Sequence, residues 1–185
     1  MSKEGRIIEL SIDEKYEAEV KKSEIDHHKP TAGAMLSHVL SNIFYEKISL
    51  MQAGLYAKSA NYRIKFREIA LKEDEWFYLI SEQLLDENEL VPTTLDEFVS
   101  NHKFIENDPK AKYWTDEALI ENFINDFQNQ NLFIGRAIKL AQKEEKFSLE
   151  LAIRKLYGYN LSIIRYFAGE LGKTIGEFIE EEDDD

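Results

Sequence analysis

The feature that most limits the fold is a set of four long amphipathic segments. In each segment apolar residues recur every three or four positions, which is the spacing of one buried face of an α-helix. The four apolar stripes run through residues 36–55, 66–84, 120–141 and 149–171. Each helix is predicted to have roughly 23 to 28 residues and to be about 35 to 40 Å long. Such lengths favour a bundle over a fold built from short helices.

The connections between these segments predict how the helices are wired. Residues 58–61 separate the first two, and residues 143–146 separate the last two, so each pair forms an antiparallel hairpin. A longer stretch, about residues 88–114, joins the second segment to the third, and its pattern Thr94-Leu95-Asp96-Glu97 is a capping box that starts a short helix. Two hairpins joined by one long crossover form the ferritin-like arrangement. We therefore predict an all-α fold: a ferritin-like four-helix bundle with a long crossover carrying a short helix.

The two ends of the chain differ from the bundle. Residues 11–25 predict an extra N-terminal helix, with Ser11 as its cap and Glu14 three residues later, but its apolar residues are too few for stability alone. Residues 180–185 are six adjacent carboxylates, which repel one another and are expected to stay solvated. We divide the chain into an N-terminal arm (1–30), the bundle (31–174) and an acidic C-terminal tail (175–185).

Composition excludes several classes of function. The chain has no cysteine, which excludes disulfides, thiolate zinc sites and a cysteine nucleophile and is consistent with a reducing cytosol. No apolar stretch approaches membrane-spanning length, so a cytoplasmic protein without a membrane partner is expected. The net charge of −13 disfavours a protein that coats nucleic acid with its whole surface.

Several segments, taken in order, resemble the Dps proteins, the ferritin-like DNA-binding proteins of starved cells. Residues 36–44 and 58–62 are similar to their first helix and turn, residues 81–98 to the end of their second helix and the crossover, and residues 166–173 to their closing motif. The resemblance covers about residues 34–174, and the type found in lactic acid bacteria is the most similar. It implies a hollow cytoplasmic dodecamer that protects DNA under stress and, in most members, takes part in iron homeostasis by oxidising and storing iron.

The iron-oxidising pattern of that family does not carry over to this chain. The usual site lies between two subunits and combines a His-Trp pair with His-x-x-x-Asp and Asp-x-x-x-Glu. The corresponding positions here are Gly54-Leu55, then Arg63 and Arg67 or Phe66 and Ala70, and finally Tyr78 and Glu82. Only Glu82 remains, and one carboxylate cannot hold two iron ions. We expect little or no conventional ferroxidase activity and assign no catalytic residue; iron is the only cofactor that the resemblance suggests.

A metal site elsewhere is the alternative, and it would make the protein an iron-storing mini-ferritin. The one exact Glu-x-x-His motif, the type used inside ferritin-like bundles, starts at Glu24 and is extended by His28. It precedes Pro30 and the bundle, so it cannot serve the bundle core. Glu24, Asp26, His27 and His28 are candidates for a surface metal site in a turn; a solvated helix end is the other interpretation.

An acidic pore is a further expectation that comes from the resemblance. In the family, acidic residues near the junction of the third and fourth helices line the path by which iron enters. Glu144, Glu145 and Glu150 occupy this region, together with Lys143 and Lys146. An ordinary charged junction explains the same residues.

Basic residues of the arm are the candidates for DNA binding, because many Dps proteins hold DNA through basic termini without reading its sequence. They are Lys3, Arg6, Lys15, Lys21, Lys22 and Lys29. Residues 1–30 contain these six basic residues and eight acidic ones, which leaves a charge of −2. Arms repeated around a cage could compensate through multivalency. Our leading hypothesis is a cage that protects DNA through its arm; a structural or stress protein with no role on DNA is a third interpretation.

Overall fold

The computed structural model describes residues 10–178, except the side chain of His27, and all regular structure in that range is helical. The long helices of the bundle have 25, 27, 28 and 24 residues. The six α-helices are α1 (Ile12–His28), α2 (Ala32–Tyr56), α3 (Ala60–Asp86), α4 (Leu95–Asn101), α5 (Asp116–Lys143) and α6 (Phe147–Glu170). The predicted all-α fold is confirmed. None of the helices in the described range is both long and apolar enough to cross a membrane.

Two helices begin with the capping signals found in the sequence. The Ser11 hydroxyl accepts a hydrogen bond from the Glu14 amide at 3.2 Å, and the Glu14 carboxylate accepts one from the Ser11 amide at 2.7 Å. Thr94 and Glu97 form the same reciprocal pair at the start of α4. These contacts satisfy amide groups that the first turn of a helix leaves without partners.

The predicted wiring is also confirmed. The two hairpins, α2 with α3 and α5 with α6, make the most extensive contacts, and α2 packs against α5 as well. The crossover between α3 and α5 passes along α2. There the Phe98 ring stacks on Phe44 with their centroids 4.1 Å apart, and the His102 ring stacks on Tyr45 at 3.9 Å.

The core of the bundle consists of two apolar clusters. The first includes Leu36 and Ile43 of α2 and Leu156 of α6. The second is rich in aromatic rings: Phe66 lies 5.1 Å from Phe123 between ring centroids. Along all four long helices the chain leaves one cluster and enters the other near mid-helix. Polar side chains occupy the boundary, and this boundary positions the candidate site described below.

The arm and the tail meet the bundle differently. Helix α1 lies outside the bundle, with Ile12 86% and Tyr16 64% exposed. By contrast, Ile175 and Phe178, which belong to the segment assigned to the tail, pack against the second cluster. The Gln128 amide also donates a hydrogen bond to the Phe178 carbonyl oxygen. The acidic run at 180–185 lies outside the described residues.

Candidate functional site

A layer of five polar side chains crosses the middle of the bundle. Glu46, Glu73, Gln130 and Asn160 are 0% exposed and Asp126 is 3% exposed. We call these five residues the polar layer. They come from all four long helices: Glu46 from α2, Glu73 from α3, Asp126 and Gln130 from α5, and Asn160 from α6. Each continues the three- and four-residue spacing of its apolar stripe, so the layer replaces apolar residues at core positions.

Hydrogen bonding within the polar layer is incomplete. The Asn160 side-chain amide donates to Gln130 Oε1 at 3.0 Å, and Asn122 donates to Asp126 Oδ2 at 2.7 Å. Both carboxyl oxygens of Glu46 and both of Glu73 have no hydrogen-bond partner among the described residues. An ionised carboxylate buried in this way costs several kcal/mol unless a positive charge or hydrogen bonds compensate. The layer itself contains no basic side chain, so its acids hold protons or require a cation.

The protonation of these acids follows from their surroundings. Burial raises the pKa of Glu73 to about 8, and the Gln130 side-chain amide, which faces this carboxyl group just outside full hydrogen-bond geometry, partly offsets the rise. Burial likewise raises the pKa of Asp126 to about 7, against the hydrogen bond from Asn122. The pKa of Glu46 lies well above its ordinary value because of burial and, next, the charges of Asp126 and Glu73. Glu46 is thus the one of the three carboxyl groups whose pKa is raised by both of the others.

A pocket leads from the surface to this layer. Its volume is about 170 Å³, and it lies between α2, the crossover and α5 with Asp126 in its wall. Oxygen-bearing side chains line much of it: Ser49, Gln52, Glu106, Asp108, Asn122 and Asn125. The crossover is held in place there, because Gln52 donates to the Asp108 carbonyl oxygen at 3.2 Å. Asp126 thus joins the pocket to the polar layer.

The positions aligned with the family's iron site have a different role here. Arg63 Nη1 donates to the Ala57 and Lys58 carbonyl oxygens at 2.7 and 2.9 Å, and Arg67 Nε donates to the Gly54 carbonyl oxygen at 2.9 Å. Carbonyl groups at a helix C-terminus lack partners and favour positive charge. A Cβ atom on Gly54 would lie 2.7 Å from Arg67 Cγ, so the absence of a side chain at Gly54 allows Arg67 to pack closely against the backbone of α2. These residues therefore stabilise the end of α2.

The other predicted metal ligands are not brought together as described. Glu82 is exposed on α3 and makes no hydrogen bond or ion pair with any residue of the described range. Glu24, Asp26 and His28 lie in the last turns of α1, where His28 Nδ1 is 2.9 Å from the Glu24 carbonyl oxygen. The His27 side chain is outside the described part. Within that part, no group of three acidic, histidine or cysteine side chains is arranged to hold a metal ion.

Two of the three predicted pore acids make contacts within the subunit. Glu144 Oε1 accepts from the Ala32 amide at 2.9 Å, and its other oxygen lies 3.1 Å from Lys146 Nζ. Glu150 pairs with Arg154 at 2.8 Å. Glu145 is exposed. An acidic pore formed by these residues stays a prediction.

The described basic residues of the arm are all exposed. Lys15, Lys21 and Lys29 are exposed along or just after α1. Lys22 is also exposed, and its Nζ lies 2.9 Å from Glu89, whose carboxylate also pairs with Lys146 at 2.5 Å. This ion pair ties the C-terminal half of the arm to the bundle. Lys3 and Arg6 lie outside the described residues.

Sequence reasoning missed the polar layer. Di-iron sites in ferritin-like bundles use the motif Glu-x-x-His, whereas the segment that starts at Glu73 ends in Trp76. A usable signal was nevertheless present. Glu46 lies three residues after Ile43 and four before Leu50, within an apolar stripe. An acid at a core position is rare and indicates a buried interaction.

Comparison with known proteins gives similar solved structures. No family model and no curated protein matches the chain. The crystal structure of the Lactococcus lactis MG1363 DpsA protein is 99% identical, with a TM-score of 0.89, covering 90% of this chain and 99% of that one. The DpsB structure from the same organism is 64% identical, with a TM-score of 0.88 and coverages of 90% and 97%. Dps from Listeria monocytogenes is 20% identical, with a TM-score of 0.74 and coverages of 78% and 96%, and shows likeness of fold alone.

Proposed function

The chain belongs to the Dps family, and from that premise we propose that it forms a Dps-type cage that binds and protects DNA through its N-terminal arm. The observation that carries this proposal is the exposed helix α1, which is attached to the bundle mainly near its C-terminal half. A helix held at one end presents its remaining side chains to a large partner. DNA is that partner in this proposal, and it is bound without sequence specificity.

The charge of the arm requires many copies to act together. Residues 1–30 carry −2, and the whole chain carries −13, so a single arm has no net attraction for phosphate groups. Exposed Lys15, Lys21 and Lys29 still provide local positive charge. Several arms on one cage would engage one duplex at high effective concentration. Binding of this kind weakens steeply as salt rises, because each phosphate contact releases counterions.

Iron oxidation at the conventional site between subunits is not part of the proposal. Arg63 and Arg67 donate to carbonyl groups at the end of α2, and their positive charge disfavours a metal cation there. An iron-oxidising cage remains the alternative, through Glu82 or through Glu24, Asp26, His27 and His28. Stoichiometric oxidation of ferrous ions that is lost on Glu82→Ala or His27→Ala would support it.

A DNA gel shift at low and moderate salt tests the proposal. The full chain is compared with one that lacks residues 1–28, and light scattering checks that both assemble. We expect the full-length cage to shift DNA at low salt and the shortened cage to leave it free. If both forms assemble and neither binds, DNA protection is wrong; if both bind equally, the arm is not the binding element.

A further inference from the structure

We propose that the acidic run at residues 180–185 docks along a basic stripe on α5 of its own subunit and shields that stripe from DNA. The basic stripe consists of Arg136, Lys139 and Lys143. The docking is independent of the function proposed above, whereas the shielding rests on it, because it leaves the arm as the element that holds DNA.

The basic stripe is an exposed face of α5. Its three residues are spaced by three and four positions, so they lie on one side of the helix. None of them forms an ion pair with an acidic side chain of the described range. The Arg136 guanidinium lies over the Phe133 ring, 5.6 Å from its centroid. Like charges at these spacings repel one another, so an anionic partner would stabilise the stripe.

The chain after α6 runs along α5 toward this stripe. Lys173 Nζ lies 4.0 Å from Glu121 Oε1 in the second turn of α5. Five residues later, the Phe178 carbonyl oxygen accepts a hydrogen bond from the Gln128 side chain, seven positions further along the helix. Ile175 and Phe178 pack against the second apolar cluster, so the core fixes the point at which the chain leaves the bundle.

The residues that follow Phe178 are long enough to reach the whole stripe. At 3.6 residues per turn, Gln128 and the three basic residues share an arc of about 80° on α5. At 1.5 Å per residue, Arg136, Lys139 and Lys143 lie about 12, 16 and 22 Å beyond Gln128. The seven residues at 179–185 span at most about 25 Å when extended. A chain that keeps its direction at Phe178 therefore brings carboxylates alongside all three basic residues.

The charges of the two segments are complementary. The run at 180–185 has six carboxylates and no apolar residue, so its contact with the stripe is electrostatic. Each exposed ion pair is weak alone, but a short tether keeps the run at a millimolar effective concentration. The docked run would occupy positive charge that otherwise attracts phosphate groups, and its remaining carboxylates would repel them.

Zero-length cross-linking of the assembled full-length protein tests the docking. A carbodiimide joins a carboxylate to a neighbouring lysine amine, and mass spectrometry identifies the pair. We expect amide bonds between residues 180–185 and Lys139 or Lys143, in a product with the mass of a single chain. Their yield should fall at least about threefold in about 0.5 M salt, because screening weakens the contact.

Two controls belong to the cross-linking experiment. Lys72 is exposed on α3, which packs mainly against α2 and α6, so it should join the acidic run at least about fivefold less. Arg136→Gln keeps both lysines of the stripe and should lower their yield at least about twofold. Arg154→Gln removes the same charge from a residue already paired with Glu150 and should leave the yield unchanged.

Removal of residues 179–185 tests the shielding, with light scattering as the check that each cage assembles. The cage without these residues should bind DNA at least about threefold more tightly at low salt. Arg136→Gln together with Lys139→Gln should abolish this gain. Arg154→Gln together with Lys155→Gln makes the same change of charge on α6 and should retain it.

The possible failures are distinguishable. The docking is overturned if Lys139 and Lys143 join the acidic run no more readily than Lys72, or if the product has the mass of two chains. The shielding is overturned if removal of residues 179–185 brings no gain in DNA affinity, or if the gain survives Arg136→Gln with Lys139→Gln. A failure of DNA binding through the arm would leave the cross-links unchanged.

Discussion

Glu73 is enclosed by the bundle, and the Gln130 side-chain amide faces its carboxyl group without reaching full hydrogen-bond geometry. In the folded state it keeps its proton up to a pKa of about 8, whereas in the unfolded chain it loses it near the ordinary value of 4.5. Between these values the folded state binds more protons than the unfolded state. The free energy of unfolding contributed by this group therefore falls as pH rises from about 4.5 to 8.

Replacement of Glu73 by a neutral analogue should remove this fall in the free energy of unfolding at high pH. We predict that Glu73→Gln is more stable than the wild type at pH 8 by about 1–3 kcal/mol, with a smaller difference at pH 5. Denaturant unfolding in chelator-treated buffer at the two pH values measures this. Glu75→Gln should retain the wild-type pH dependence. Identical slopes for Glu73→Gln and the wild type would show that Glu73 does not carry the effect.

Arg67 gives a second prediction for a single residue. Its guanidinium donates to the Gly54 carbonyl oxygen at the end of α2. Arg67→Ala should lower the free energy of unfolding by about 0.5–1.5 kcal/mol, because a hydrogen bond to a helix end is lost. The matched control is Arg154→Ala, whose partner is Glu150 in a partly exposed ion pair. A partly exposed ion pair contributes little to the free energy of unfolding, so the control should change it by less than about 0.5 kcal/mol. Equal losses would refute a special role for Arg67.

At the scale of elements, the link between the arm and the bundle is testable. Lys22 pairs with Glu89, whereas the neighbouring Lys21 makes no ion pair with a residue in the described range. Lys22→Ala should therefore detach the C-terminal half of α1 more often and speed proteolytic cleavage within residues 12–28. Because such an ion pair contributes up to about 1 kcal/mol, its loss should increase the rate of cleavage by up to about fivefold.

Lys21→Ala is the control for this prediction, since it removes the same charge without removing a contact. Its rate of cleavage should equal that of the wild type after correction for the lost lysine. High salt should bring the wild type closer to Lys22→Ala, because screening weakens the pair. Equal cleavage of the two variants would show that the ion pair does not hold the arm.

The helices were predictable from the sequence because their signals are local. The spacing of apolar residues predicted the four long helices, and the capping boxes at Ser11 and Thr94 predicted where two further helices begin. The Lys22–Glu89 pair joins residues 67 positions apart, and no local rule predicts it. The polar layer likewise depends on Glu46, Glu73 and Asp126 meeting from three helices. An acid within one stripe was visible, but its neighbours follow only from the packing of the bundle.

The whole molecule is expected to be a cage on which many weakly binding arms act together. Twelve chains of 21.6 kDa would give an assembly of about 260 kDa. Removal of residues 1–28 should leave the fold of each bundle intact, because α1 makes few contacts with the long helices, and we expect the shortened chain to assemble as the full-length chain does. Sedimentation of both forms measures this. A monomer or a simple dimer for the full-length protein would contradict the cage.

The affinity of the assembled protein for DNA, measured by fluorescence anisotropy across a salt series, is the most direct test of DNA binding through the arm. We expect the full-length cage to bind a duplex of unrelated sequence at low salt and to lose at least about tenfold in affinity between 50 and 200 mM salt. The cage that lacks residues 1–28 should show no measurable binding under the same conditions. Equal affinities for the two cages, or no binding by the full-length cage at low salt, would contradict it.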